Sequence, residues 1–182
     1  MERNKLIVQI GSYDSIYAEE LAFKVRFLKL LEHPRAFFRD HLPGHITASA
    51  WIVDSTRTFA LLTHHAKLNR WLQPGGHADG DENTITVASR EAFEETGLTS
   101  LRLISQQIFD LDIHPIPERK GVPRHDHYDL RYLFEANKAE AFSISEESHD
   151  LAWIPVKQLS EKTECNESIL RMAEKIQKLI LN

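Results

Sequence analysis

From His45 onward the chain alternates with a period of two: Ile46, Ala48, Ala50 and Ile52 stand between Thr47, Ser49, Trp51 and Val53. That period predicts a strand, with Thr58 to Thr63 as its antiparallel partner across the turn Asp54-Ser55-Thr56-Arg57. Ahead of it the period is helical. Asp14 can cap a helix through Ser15 to Glu32, with Tyr17, Leu21, Leu28 and Leu31 near helical spacing. Pro34 suits the first turn of a second short helix, Pro34 to His41, which Pro43-Gly44 ends. After the hairpin, Trp71 to Gln73 reads as a short strand running into Pro74-Gly75-Gly76. Asn83 to Thr96 reads as a helix with Gly97 just past its end. Leu101 to Ile113 and Tyr128 to Ala136 are predicted strands, and Leu151 to Ser160 a strand followed by a helical turn. Asn166 can cap a last amphipathic helix carrying Ile169, Ala173, Ile176 and Ile180 on one side. The pattern is an α+β domain, residues 45–182, behind a helical N-terminal extension, residues 1–44.

Composition narrows the partners. The 182 residues are 42% hydrophobic and 27% charged, which fits one globular domain with a buried core. A net charge of −5 gives no footprint for nucleic acid or an anionic membrane, so neither is expected as a partner. An anionic substrate would then need a local cation. The single cysteine, Cys165, cannot form an internal disulfide, and a reducing, cytoplasmic setting is expected. The apolar run Leu6 to Ile10 is too short for a signal-peptide core, and no segment approaches the ~20 apolar residues of a membrane span.

The densest chemistry lies between Gly76 and Leu98. On the predicted helix Glu91, Glu94 and Glu95 fall at i, i+3 and i+4 and share a face. Neighbouring anions there are destabilising without a positive charge between them, and Arg90, four residues from Glu94, cannot neutralise all three plus Glu82. An oxygen-rich, sulfur-free set of this kind suits a hard divalent ion, Mg²⁺ above all and Mn²⁺ as its stand-in. Gly75 and Gly76 let the backbone approach closely, so a carbonyl there could become a further oxygen ligand.

The same spacing resembles the full signature of the Nudix hydrolases: Gly76, five residues, Glu82, seven residues, then Arg90-Glu91-Ala92-Phe93-Glu94-Glu95-Thr96-Gly97-Leu98. Ala92 departs from the usual Ile, Leu or Val, a change that touches packing more than chemistry. The resemblance implies an α/β/α sandwich around a mixed sheet and hydrolysis of a nucleoside diphosphate linked to another group. The substrate would be an NDP-sugar, ADP-ribose, a dinucleotide or a noncanonical nucleoside triphosphate. It also implies Glu91, Glu94, Glu95 and the Gly75 carbonyl as metal ligands. Gly76, Glu82, Arg90 and Gly97 would shape the loop and helix. Glu91, or Glu147 in the loop before Trp153, would act as general base. Many members pair as homodimers. Two other functions share this fold: an isopentenyl-diphosphate isomerase, which leans on a catalytic cysteine, and a non-catalytic ligand-sensing domain.

One segment lies outside the signature. Asp110, Asp112 and His114 alternate with Phe109, Leu111 and Ile113; His125, His127, Asp129 and Arg131 alternate with Tyr128, Leu130, Tyr132 and Phe134. Each strand of this hairpin has one apolar face and one face of imidazoles, carboxylates and a guanidinium. That polar face could line the substrate site, hold a further metal such as Zn²⁺ or Mn²⁺ on its histidines, or simply face water. His77, after the glycine pair, and Gln73 join His125, His127, Asp129 and Arg131 as candidate substrate contacts.

Overall fold

The computed structural model describes residues 2–119 and 121–181, the side chains of residues 180 and 181 excepted. Two compact units interleave along the chain. One comprises Met1–Ser49, Gly76–Ala88 and Gln106–Tyr132; the other comprises Ala50–Gly75, Ser89–Ser105 and Leu133–Asn182.

The first unit begins with α1, Glu2–Ser12, which buries Leu6 and Ile10 one turn apart. Helix α2, Ala18–Leu31, follows and buries Phe27 and Leu31. Its N-cap is Tyr17, not Asp14, and it makes no side-chain capping bond. Asp14 accepts a bond from the Ser15 amide, while Ser15 Oγ bridges the Tyr17 amide and the buried Glu20 carboxylate. Glu20 in turn accepts the Tyr13 hydroxyl at 2.6 Å and the Leu111 amide at 3.0 Å, so this buried anion is fully engaged.

Pro34 to His41 forms turns, not the helix its proline predicts. Ala36, Phe38 and His41 donate to carbonyls three residues back. The carbonyls of Ala36 and Phe37 are taken by the amides of Ile46 and Gly80, which draws the segment onto its neighbours and away from helical pairing.

Strand β1, Gly44–Val53, is buried at every position. β2, Phe59–His65, and β3, Arg70–Leu72, pair antiparallel to each other, and β2 also pairs with the later half of β1. The glycine pair that reads as a loop forms a short strand, β4, Gly75–His77, lying against β1. Helix α3, Thr84–Thr96, ends on Gly97, whose φ of +68° and amide bond to the Phe93 carbonyl make it the left-handed closing residue the sequence predicts.

The predicted strand Leu101 to Ile113 is instead two strands, β5, Arg102–Leu103, and β6, Asp110–Ile116, both antiparallel to β7, His125–Glu135. The amides of Ile104 and Phe109 reach carbonyls only two residues apart on β7, Leu133 and Arg131, so the residues between them loop out. β8, Ser148–Pro155, completes the strands along β2. The order is β3-β2-β1-β7-β5, with β4 on β1, β6 on β7 and β8 on β2.

The β1–β7 pair is parallel. Asp126 N reaches Pro43 O at 2.7 Å and Ala136 N reaches Val53 O at 3.0 Å, an advance of equal length in the same direction on both strands. The sheet is therefore mixed. A parallel neighbour explains why β1 is buried on both faces although its sequence alternates.

After β8 come a 3-10 turn, Val156–Gln158, then α4, Leu159–Lys162, and α5, Glu167–Leu181. Asn166 caps α5 as predicted, accepting the Ser168 and Ile169 amides. Ile169, Ala173 and Ile176 are buried; the Ile180 side chain lies outside the described residues. Among the described residues no helix is long and apolar enough to cross a membrane.

Candidate active site and histidine cluster

The second unit holds the later part of α3. Its inward side turns Glu91 and Glu95 toward the protein and leaves Glu94 exposed. Glu95 is buried, 8% exposed, and its Oε1 accepts the Gly75 amide at 2.9 Å. Burial pushes the Glu95 carboxyl up to about 7 against that bond, and the charges of Glu91 and Glu147 push it the same way. Glu91 is raised for the same first reason, burial, with Arg90 opposing and Glu94 and Glu147 adding. Arg90 Nη1 lies 2.8 Å from Glu91 and 3.4 Å from Glu94, between two of the carboxylates. Glu147 is exposed, pairs with Lys67 at 3.5 Å, and accepts the Ala66 amide with its carbonyl at 2.9 Å. Four carboxylates thus act on one another, and two are partly or wholly withdrawn from water.

The same unit contains a cleft of about 660 Å³ lined by His64, Trp71, Trp153 and Lys162 among others. The His64 and Trp71 rings stack 7° from parallel with centroids 5.0 Å apart, and the Lys162 ammonium sits 4.1 Å from the Trp71 ring centre. The buried Trp153 indole N–H has no hydrogen-bond acceptor among the described residues. Gln73, half-buried, follows β3 directly.

In the first unit Glu82 is held by Arg3 of α1, through the side chain at 2.8 Å and the backbone amide at 3.1 Å. Arg3 also donates to the carbonyls of His33 and Pro34. The signature's first glutamate therefore anchors its loop to the N-terminal helix, a partner that spacing alone does not show.

Most of the polar face of the β6–β7 hairpin is withdrawn from water, while the His114 side chain is 41% exposed. Asp110, Asp112, Asp129 and Arg131 are all buried, and the register sets Asp110 opposite Arg131, Asp112 opposite Asp129, and His114 opposite His127. Arg131 donates to Asp129, Asp112 and Asp110 at 2.9, 2.9 and 3.2 Å, and the three carboxylates hold the guanidinium charged. Asp129 further accepts Ser49 at 2.7 Å and Thr47 at 3.1 Å. Asp129 and Arg131, candidate substrate contacts in the sequence, are thus taken up by a buried network.

Beyond that network the face becomes imidazole. The His45 and His127 rings lie 5.0 Å apart, each 4.9–5.3 Å from both His77 and His125, and His114 lies 5.5 Å from His127. Burial, with neighbouring imidazoles next, lowers His45 to about 4 and His127 to about 2, so both are neutral at pH 7. His45 is the member the sequence reading missed. The signal was present: His45, Thr47 and Ser49 share one parity of β1, and all three are polar on a strand that is buried throughout.

With the mixed sheet, the glycine strand leading to a glutamate helix and the clustered carboxylates in place, the class is defined. The NUDIX domain family model matches residues 43–174, and the chain belongs to that family, as a hydrolase. It is 29% identical over 140 residues to a probable DHNTP pyrophosphohydrolase of Lactococcus lactis subsp. cremoris, covering 75% of this chain and 81% of that protein. Over 83 residues it is 31% identical to the asymmetrical bis(5'-nucleosyl)-tetraphosphatase of Rattus norvegicus, 46% of this chain and 52% of that protein. In fold it is similar to an Ap4A hydrolase of C. elegans solved as a binary complex, with a TM-score of 0.59 and 19% identity over 75% of this chain and 97% of that one.

Proposed function

We propose that the chain is a divalent-metal-dependent pyrophosphohydrolase that cleaves the phosphoanhydride of a nucleoside diphosphate linked to a further group. The observation that carries this reading is the pair of like charges on α3: Glu95, buried and accepting the Gly75 amide at 2.9 Å, with Glu91 one turn away and Arg90 2.8 Å from it. A cation would relieve that repulsion, and an all-oxygen donor set fits Mg²⁺ or Mn²⁺. Glu91, Glu94, Glu95 and the Gly75 carbonyl would hold it. When bound, such an ion acidifies water and offsets charge on phosphate oxygens.

The other roles belong to the chain. Gly75 N–H fixes the Glu95 carboxylate, and Arg90 holds Glu91 and Glu94 in place. Glu147 is the favoured proton acceptor for the attacking water, because it is exposed while its charge still reaches Glu91 and Glu95. Gly76, Glu82 and Gly97 shape the loop and the helix end. Residues 1–44 form an addition to the Nudix domain, tied to it by Arg3 on Glu82.

For the substrate, the cleft walled by His64, Trp71 and Trp153 has the size and aromatic lining that suit a nucleobase or pteridine ring, and Gln73 lies at the end of the same strand. Among the substrate classes the signature leaves open, the relatives' names favour a dinucleoside polyphosphate or a triphosphate on a modified ring. The test is a hydrolysis panel of NDP-sugars, ADP-ribose, dinucleoside polyphosphates and nucleoside and pterin triphosphates, with products separated by ion-exchange chromatography. Cleavage of a polyphosphate substrate with Mg²⁺ supports the reading. Turnover of isopentenyl diphosphate, or of nothing on the panel, overturns it.

A further inference from the structure

The imidazole cluster of the first unit, with His45 buried and His77 and His127 half-buried, is assigned no role in the reaction proposed above, and its arrangement is specific. His45 stands on β1, His77 on β4 and His127 on β7, and β1 lies between the other two strands. Neighbouring strands are ~4.8 Å apart, so one residue from each at the same level brings three side chains together. One ring nitrogen from each lies within 4.8 Å of the other two. In a tetrahedral zinc site with bonds of ~2.0–2.1 Å the ligand nitrogens are about 3.3 Å apart, and small side-chain rotations close that difference.

A second observation points to a ligand. His45 is only 1% exposed, and its Nε2 has no hydrogen-bond partner among the described residues. Its other nitrogen, Nδ1, is 3.4 Å from the His41 carbonyl. Donation from Nδ1–H to that carbonyl makes Nε2 the lone-pair atom. A buried acceptor without a donor costs stability, and this is the tautomer that a metal-binding histidine adopts when a backbone carbonyl orients it. Such support continues outward: His114 Nδ1 is 2.9 Å from Asp112, which Arg131 holds in turn. Stacked imidazoles alone would leave His45 Nε2 unsatisfied; a bound cation satisfies it.

The donor set also selects the ion. Of the β7 carboxylates, Asp129 is engaged by Thr47, Ser49 and Arg131, and Asp126, of the other strand parity, pairs with Arg26 at 2.7 Å, which leaves nitrogen ligands. Neutral imidazoles without oxygen ligands suit Zn²⁺ and disfavour Mg²⁺ or Ca²⁺. We propose that His45, His77 and His127 form a zinc site that pins β4, β1 and β7 together, with a fourth position left for water or for His114 or His125.

The test uses untagged full-length protein stripped with a chelator, then loaded with Zn²⁺ in excess Mg²⁺ and passed through gel filtration before elemental analysis. We expect about one zinc per chain. Zinc should also raise the melting temperature, since a ligand of the folded state stabilises it. Loading with Co²⁺ should give the visible absorption of a tetrahedral nitrogen site. His45→Ala and His77→Gln should each lose the metal, the thermal shift and the cobalt spectrum, whereas Glu95→Gln should keep all three. If His45→Ala does not fold by circular dichroism, the half-buried His77→Gln decides alone. Less than about a tenth of a zinc per chain overturns the proposal. So does zinc retained by folded His77→Gln, or zinc lost in Glu95→Gln; the latter would assign the ion to the glutamates and leave the pyrophosphohydrolase reading intact.

Discussion

Glu95 binds its proton more tightly in the folded chain than in the unfolded one, its carboxyl lying near 7 instead of the ordinary 4.5. Between about 4.5 and 7 the unfolded carboxyl loses its proton while the folded one keeps it, so the stabilisation present below 4.5 is lost as pH rises through 7. For a buried group this is on the order of 2–3 kcal/mol. His45 and His127 act in the opposite sense, since their lowered values remove stability as pH falls from 6.5 toward about 4 and below. Comparison with a variant cancels them. In chelator, Glu95→Gln should gain on the wild type in urea midpoint as pH rises from about 5 to 8, and saturating Mg²⁺ should reverse the order. A constant difference across that range would show that Glu95 is not held protonated by burial.

At the scale of elements, the β6–β7 hairpin is fastened to β1 by Arg131 and three buried aspartates. Removing the guanidinium leaves those buried carboxylates uncompensated. Arg131→Met should therefore cost about 3–5 kcal/mol in urea unfolding, although the side chains are similar in length. A loss under about 1 kcal/mol would mean that the aspartates take up protons or water at little cost. This network was half legible. The alternation of Asp110, Asp112, Asp129 and Arg131 fixed their common face, but a polar face reads equally well as a wet one. Only the pairing with Thr47 and Ser49 of β1 puts it inside. His45 was lost for the same reason, because its partners come from strands far away in sequence. The closeness of Glu91 and Glu95 was legible, since the spacing that gathers them lies within one helix, while Glu94, expected on the same face, is exposed. The turns at Pro34 to His41 were not, because their carbonyls are claimed by Ile46 and Gly80, contacts that local propensity cannot see.

For the whole molecule, a net charge of −5 sets the terms on which an anionic polyphosphate would bind. Cations must be local, and the candidates include Lys162 and Arg70 in the cleft, Lys67 beside Glu147 and any divalent ion the glutamates would hold. The family match begins at residue 43, yet Arg3 reaches the signature's Glu82. The N-terminal helices thus stabilise the loop that precedes α3, and Arg3→Ala should lower turnover through that loop more than it lowers overall stability. The most direct test of the account is hydrolysis of a dinucleoside polyphosphate or nucleoside triphosphate in ¹⁸O-water, with products read by mass spectrometry. The account predicts one ¹⁸O on a phosphate-bearing product, no reaction in chelator, and at least a roughly hundredfold slower rate, about 2.7 kcal/mol, for folded Glu95→Gln. Label on carbon only, or unchanged rates in chelator and in Glu95→Gln, would contradict it.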